Sequence, residues 1–109
     1  MSKNYGFKYV SFLYKKDHQT FDEFVTYWTE VHAQIAIKLP KLRKYVINPI
    51  DRRQSPESPV DGFCELWFDS LEDAKEALSS STGLEGFEDT INFVEKAIGV
   101  NIIEIEKSI

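Results

Sequence analysis

A chain of 109 residues is one domain's worth of sequence, enough for one core but short of what would cover all of its apolar surface. Its 18 acidic residues outnumber 13 basic ones and leave a net charge of −5, which argues against the cationic footprint that nucleic acid or an anionic membrane needs. The single cysteine, Cys64, excludes an intramolecular disulfide and favours a reducing compartment.

Residues 6–15 are β-branched and aromatic, with apolar side chains at both parities: Phe7, Tyr9 and Leu13 on one side, Val10, Phe12 and Tyr14 on the other. That pattern predicts a strand buried on both faces. After a polar turn, Thr20 stands three residues before Glu23, the spacing of a capping box, and opens a helix. Phe21, Phe24, Val25, Trp28, His32, Ile35 and Leu39 then recur at three- and four-residue steps, forming one stripe that Pro40 ends.

Residues 42–50 are a second strand, with Pro49 suited to an edge or bulge. The stretch 51–62, holding two prolines, is the longest loop, and 63–68 (FCELWF) is a third strand. Ser70 with Asp73 marks another helix start, followed by Leu71, Ala74, Ala77 and Leu78. Gly83 and Gly86 are expected to break the chain. Phe87, Ile91, Val94, Ala97 and Ile98 predict a further helical piece ended by Gly99, and 100–106 a fourth strand.

The order β-α-β-β-α-β predicts an α+β, ferredoxin-like fold: a four-stranded antiparallel sheet with its helices on one face. Along the third strand Phe63, Glu65 and Trp67 point one way and Cys64, Leu66 and Phe68 the other. Both sets are largely apolar, so the face without helices also needs cover. A homodimer packed sheet to sheet would supply it, burying on the order of 800 Å² per partner; the alternative is one large exposed patch on a monomer. No apolar run approaches membrane-spanning length, and residues 1–5 carry no signal-peptide core, so a cytoplasmic location is expected. The basic residues from Lys38 to Arg53 are interrupted by apolar ones and read as strand edges and solvated turns, so no nucleic-acid partner is expected.

Two segments, FDEFVTYWTEVHAQIAIKLPKLRKY (21–45) and DGFCELWFDSLEDAKEAL (61–78), together with chain length and strand order, resemble the EthD-like family. The tail departs, since nothing after residue 84 matches the family's Asp-Glu-x-x-Phe stretch. The resemblance implies a single domain over 1–109, a dimeric α+β barrel and a cavity between helices and sheet. Relatives include proteins of ethyl tert-butyl ether breakdown, whose own role is unclear, methylmuconolactone methylisomerase, and decarboxylase- or dehydratase-like enzymes. They handle small, mostly apolar molecules without a metal.

His32 matches the family's helix histidine, a proposed proton-handling group in the methylisomerase. An imidazole exchanges protons near neutral pH, but a histidine on an apolar stripe can also be a core residue bonded to a carbonyl. Tyr45 matches the tyrosine closing the motif and either bonds a substrate oxygen or anchors its strand. These two are the candidate catalytic residues. Trp28, Cys64, Leu66 and Phe68 are candidate substrate-binding residues, with core packing the alternative for each. Cys64 lies two residues before Leu66, where the methylisomerase pattern would place its cysteine, which weighs against a nucleophilic role. Glu65, on the opposite face, is a candidate for pairing across the dimer, while His18 reads as solvated surface. The two histidines do not cluster, so no metal is expected; phosphate loops and nucleophile elbows are absent, and no cofactor is expected. A haem-degrading reading needs an axial histidine between residues 70 and 98, and none stands there.

The leading expectation is a cofactor-independent enzyme acting on a small apolar or aromatic metabolite by proton transfer, of isomerase, dehydratase or decarboxylase type. A non-catalytic binding or accessory protein of a degradation pathway is the other.

Overall fold

A computed structural model describes residues 5–109. Four strands, β1 (Phe7–Lys15), β2 (Lys44–Pro49), β3 (Gly62–Phe68) and β4 (Val94–Ile102), form one antiparallel sheet in the order β2-β3-β1-β4. Between β1 and β2 runs one helical rod: α1 (Phe21–Tyr27), a π-helical turn (Trp28–His32) and α2 (Ala33–Ala36). Between β3 and β4 lie α3 (Leu71–Ser79) and α4 (Ser81–Thr90). This is the expected ferredoxin-like α+β fold. Among the described residues no helix is long and apolar enough to cross a membrane.

Local chemistry accounts for the helix starts. The Glu23 amide donates to Thr20 Oγ1 at 3.1 Å, and the Thr20 amide donates to Glu23 Oε1 at 2.8 Å, completing the capping box. Ser70 Oγ accepts from the Asp73 amide and Ser80 Oγ from the Gly83 amide, both at 3.1 Å. The first helix closes with short turns over Ile37–Leu39, and Lys41 takes a left-handed conformation (φ 63°) beyond them.

Two expectations for the second helical region need correction. Gly83 and Gly86 do not break the chain; both lie within α4. A Cβ on Gly83 would run into the carbonyl oxygens of Ala77 and Leu78, so this glycine permits close packing of α4 onto the end of α3. Residues 94–98 are strand, not helix, and β4 ends at Ile102, so residues 103–106 lie beyond it. Of the expected helical stripe, Phe87 on α4 is 79% exposed at the cavity rim and Ile91, just beyond α4, is 70% exposed, whereas Val94 is buried.

Register separates the sheet's faces. Phe7, Tyr9, Leu13, Cys64, Leu66, Phe68, Tyr45 and Ile47 turn toward the helices, where Phe24, Trp28, Phe68 and Phe93 are fully buried. The opposite face carries Val10, Phe12, Val46, Phe63, Trp67 and Val100 and has no helix over it. Glu65 on this face is paired within its own chain, with Lys8 Nζ at 2.6 Å and Asn48 Nδ2 at 2.9 Å, so it needs no residue from a second copy.

Candidate functional site

Between the helices and the sheet lies a cavity of about 360 Å³, at the small end of the range for small-molecule pockets. Its floor is the helix-facing side of β1, β3 and β4, including Tyr9, Ser11, Leu66 and Gly99. One wall is the first helical rod, with Trp28, His32 and Ala36; the other is α4, with Gly83, Gly86 and Thr90. Small side chains along the inner side of α4 leave the space that large ones would fill. The π-helical turn begins at Trp28 and ends at His32, and both residues line the cavity. A π turn shifts the residues after it relative to an α-helix, and such turns are common at functional sites.

His32 is bound on one side only. Its Nδ1 lies 2.9 Å from Asp89 Oδ2, and its ring packs against Phe93 at 4.9 Å between centroids. Asp89 Oδ1 accepts from the Tyr27 hydroxyl at 2.6 Å and from Asn92 Nδ2 at 3.0 Å. Burial works to raise the Asp89 carboxyl, but hydrogen bonds from Tyr27, Asn92 and His32 outweigh it and hold the group below its ordinary value. Asp89 is therefore ionised at neutral pH and can only accept. In the neutral imidazole its bond with His32 requires the proton to sit on Nδ1, leaving the Nε2 lone pair free. Among the described residues Nε2 has no hydrogen-bond partner.

Of the other residues singled out by sequence, Trp28, Tyr45, Cys64 and Leu66 line the cavity, while Phe68 lies outside it, fully buried in the core. Burial, with Cys64 nearby, pushes the Tyr45 phenol above its ordinary range, and its hydroxyl is closed off beneath protein atoms without a hydrogen-bond partner among the described residues. The Trp28 ring N–H is close enough to favour ionisation of that phenol slightly, yet the two do not meet in hydrogen-bonding geometry, and the indole nitrogen also has no partner among the described residues. Burial pushes the Cys64 thiol up to about 12, so it carries almost no thiolate at neutral pH and is a poor nucleophile. His18 is exposed, away from the cavity.

The sequence alone gives neither Asp89 nor Tyr27 a role in the site. Asp89 lies 57 residues from His32, on a helix whose inner side carries glycine and threonine in place of an apolar stripe. The available signal was its place three residues after Gly86 and four before Phe93, on that same inner side.

The sequence profile of the EthD domain matches residues 16–97. No curated protein matches the chain. Among solved structures, an ethyl tert-butyl ether d (EthD) family protein from Bacillus halodurans superposes with a TM-score of 0.78 at 21% identity, covering 91% of this chain and 99% of that one. A dimeric protein of unknown function with a ferredoxin-like fold, from Bacteroides fragilis, gives 0.67 at 15% identity, covering 88% and 93%. A cofactor-independent oxygenase from Streptomyces nogalater gives 0.68 at 9% identity, covering 93% and 94%. At these identities the structures share the fold.

Proposed function

The chain belongs to the EthD domain family, and from that premise we propose that it binds a small apolar or aromatic molecule in its cavity and moves a proton on it. The observation that carries this reading is the pairing of His32 with ionised Asp89 on the cavity wall, with Nε2 unpaired. Nε2 takes a proton from a carbon of the bound molecule, and the imidazolium so formed is held by the Asp89 carboxylate. Return of that proton at a second carbon completes an isomerisation, and departure of a leaving group with its bonding pair from the neighbouring carbon completes an elimination; in a decarboxylation the proton comes instead from the substrate's carboxylic acid, and the imidazolium returns it to the carbon whose bond to carbon dioxide has broken. The oxygenase from Streptomyces nogalater works without a cofactor, and only that cofactor-free character is carried over here.

We also infer that two copies pair through the helix-free sheet face. Support comes from the apolar side chains on that face and from the dimeric relative of the same fold.

A non-catalytic binding role is the second reading, favoured by a lining in which Cys64 and Tyr45 are both kept protonated by burial. Deuterium incorporation from D₂O into a panel of small enolisable aryl ketones and lactones, read by mass spectrometry, separates the two. Proton transfer predicts incorporation by the wild type and a fall of roughly a hundredfold or more in His32→Gln. Equal rates in the two proteins would end the catalytic reading.

A further inference from the structure

Sheet register sets two tyrosines in one row across the cavity floor. Tyr45 on β2 and Tyr9 on β1 are both paired with Leu66 of β3, which lies between them. Two inter-strand spacings separate their backbones by about 9–10 Å. The two phenols differ in access. The Tyr45 hydroxyl is closed off beneath protein atoms, whereas the Tyr9 hydroxyl is also without a hydrogen-bond partner among the described residues but is not closed off. Gly99, opposite Ser11 on β4, explains this openness. A Cβ on Gly99 would take the space of the Tyr9 hydroxyl, so the glycine lets the phenol lie across β4. Gly99 is itself exposed and lines the cavity, which puts that hydroxyl near the opening along the β4 edge.

We propose that Tyr9, not Tyr45, is the oxygen-binding residue of the cavity: its hydroxyl donates a hydrogen bond to the carbonyl oxygen of a small aryl ketone or lactone lying over Leu66 and Cys64. The inference rests on the proton-transfer reading of the cavity and names its substrate class. When the carbon–hydrogen bond beside that carbonyl breaks, the proton passes to His32 Nε2. The electron pair moves through the new carbon–carbon double bond onto the oxygen, and the resulting enolate accepts the Tyr9 hydrogen bond. Burial, reinforced by Cys64, raises the Tyr9 phenol above its ordinary range, so it remains a donor through neutral pH.

Calorimetric titration with 2-acetylnaphthalene and with 2-ethylnaphthalene, a similar shape lacking the carbonyl, tests the inference on the wild type, Tyr9→Phe, Tyr45→Phe and Gly99→Ala. Tyr9→Phe is expected to weaken the ketone by roughly two- to tenfold and leave the hydrocarbon unchanged. Gly99→Ala, which drives the hydroxyl from its place, is expected to reproduce that selective loss. Tyr45→Phe is expected to leave the preference for the ketone intact. A Tyr9→Phe protein that keeps the wild-type preference would overturn the assignment, as would a selective loss in Tyr45→Phe. If neither probe binds the wild type, the reading of the cavity itself fails; if both bind with no role for Tyr9, only this inference fails.

Discussion

At the scale of single residues, the proposed proton transfer depends on what Asp89 does to His32. Without a fixed acceptor on Nδ1 an imidazole is free to place its proton on either nitrogen, and the base would be absent part of the time. Tyr27 and Asn92 hold the carboxylate from its other oxygen. Because folding holds the Asp89 carboxyl below its ordinary value, its contribution to stability is present above about pH 4 and is lost as pH falls through the folded value. Asp89→Asn is expected to destabilise the protein by about 1–3 kcal/mol at pH 7 in urea unfolding. That difference should shrink steadily as the pH is taken below about 4; a constant difference would mean the charge contributes nothing. His32 was legible from its place on an apolar stripe. Asp89 was not, because its meaning comes from a partner 57 residues away and its own helix has no stripe to mark an inner side.

At the scale of elements, α4 decides whether there is a cavity. Its two glycines look alike in sequence and differ in the structure. At Gly83 an added Cβ meets backbone carbonyls that cannot move aside, whereas at Gly86 it meets only Ile35 Cγ2 at an ordinary 3.7 Å. Gly83→Ala is therefore expected to cost about 1–3 kcal/mol. Gly86→Ala is expected to add up to about 1 kcal/mol through helix propensity. Thermal unfolding of the pair checks both signs, and like effects from the two would refute this account of the α3–α4 junction. The first three strands and the first helix were readable, since Thr20–Glu23 and the Phe24–Trp28–His32 stripe are local signals. The start of β4 is ambiguous in sequence because Val94, Ala97 and Ile98 fit a helical spacing as well as a strand, and only pairing with β1 resolves it. Gly99 looked like a helix stop, yet it is a strand residue that makes room for Tyr9.

At the scale of the whole molecule, the helix-free sheet face carries half-buried Phe12 and Phe63 with no helix of the described residues over them. The rings of Phe12 and Phe63 pack there tilted at 43°, 5.8 Å between centroids, beside Val10 and Val46. Lys8, Glu65, Trp67 and Glu104 form a polar chain along one side of the same face. A second copy of this face would cover the aromatic pair while the ion pairs stay satisfied within each chain. Sedimentation at micromolar concentration is expected to show a dimer. Phe12→Glu is expected to weaken it by on the order of thirtyfold or more. A wild-type monomer under those conditions would remove the dimer from the account. The apolar make-up of this face was legible from the double parity of β1 and β3; the pairing of Glu65 with Lys8 was not, because it depends on cross-strand register.

The central claim is that Asp89 fixes the proton of His32 on Nδ1 and leaves Nε2 as a base. Two-bond proton–nitrogen correlation spectra of protein labelled with ¹⁵N-histidine read that tautomer directly, without any substrate. At a pH high enough for the imidazole to be neutral, the wild type should carry its proton on Nδ1, and Asp89→Asn should show a mixture of tautomers. A wild-type His32 with its proton on Nε2 would contradict the account.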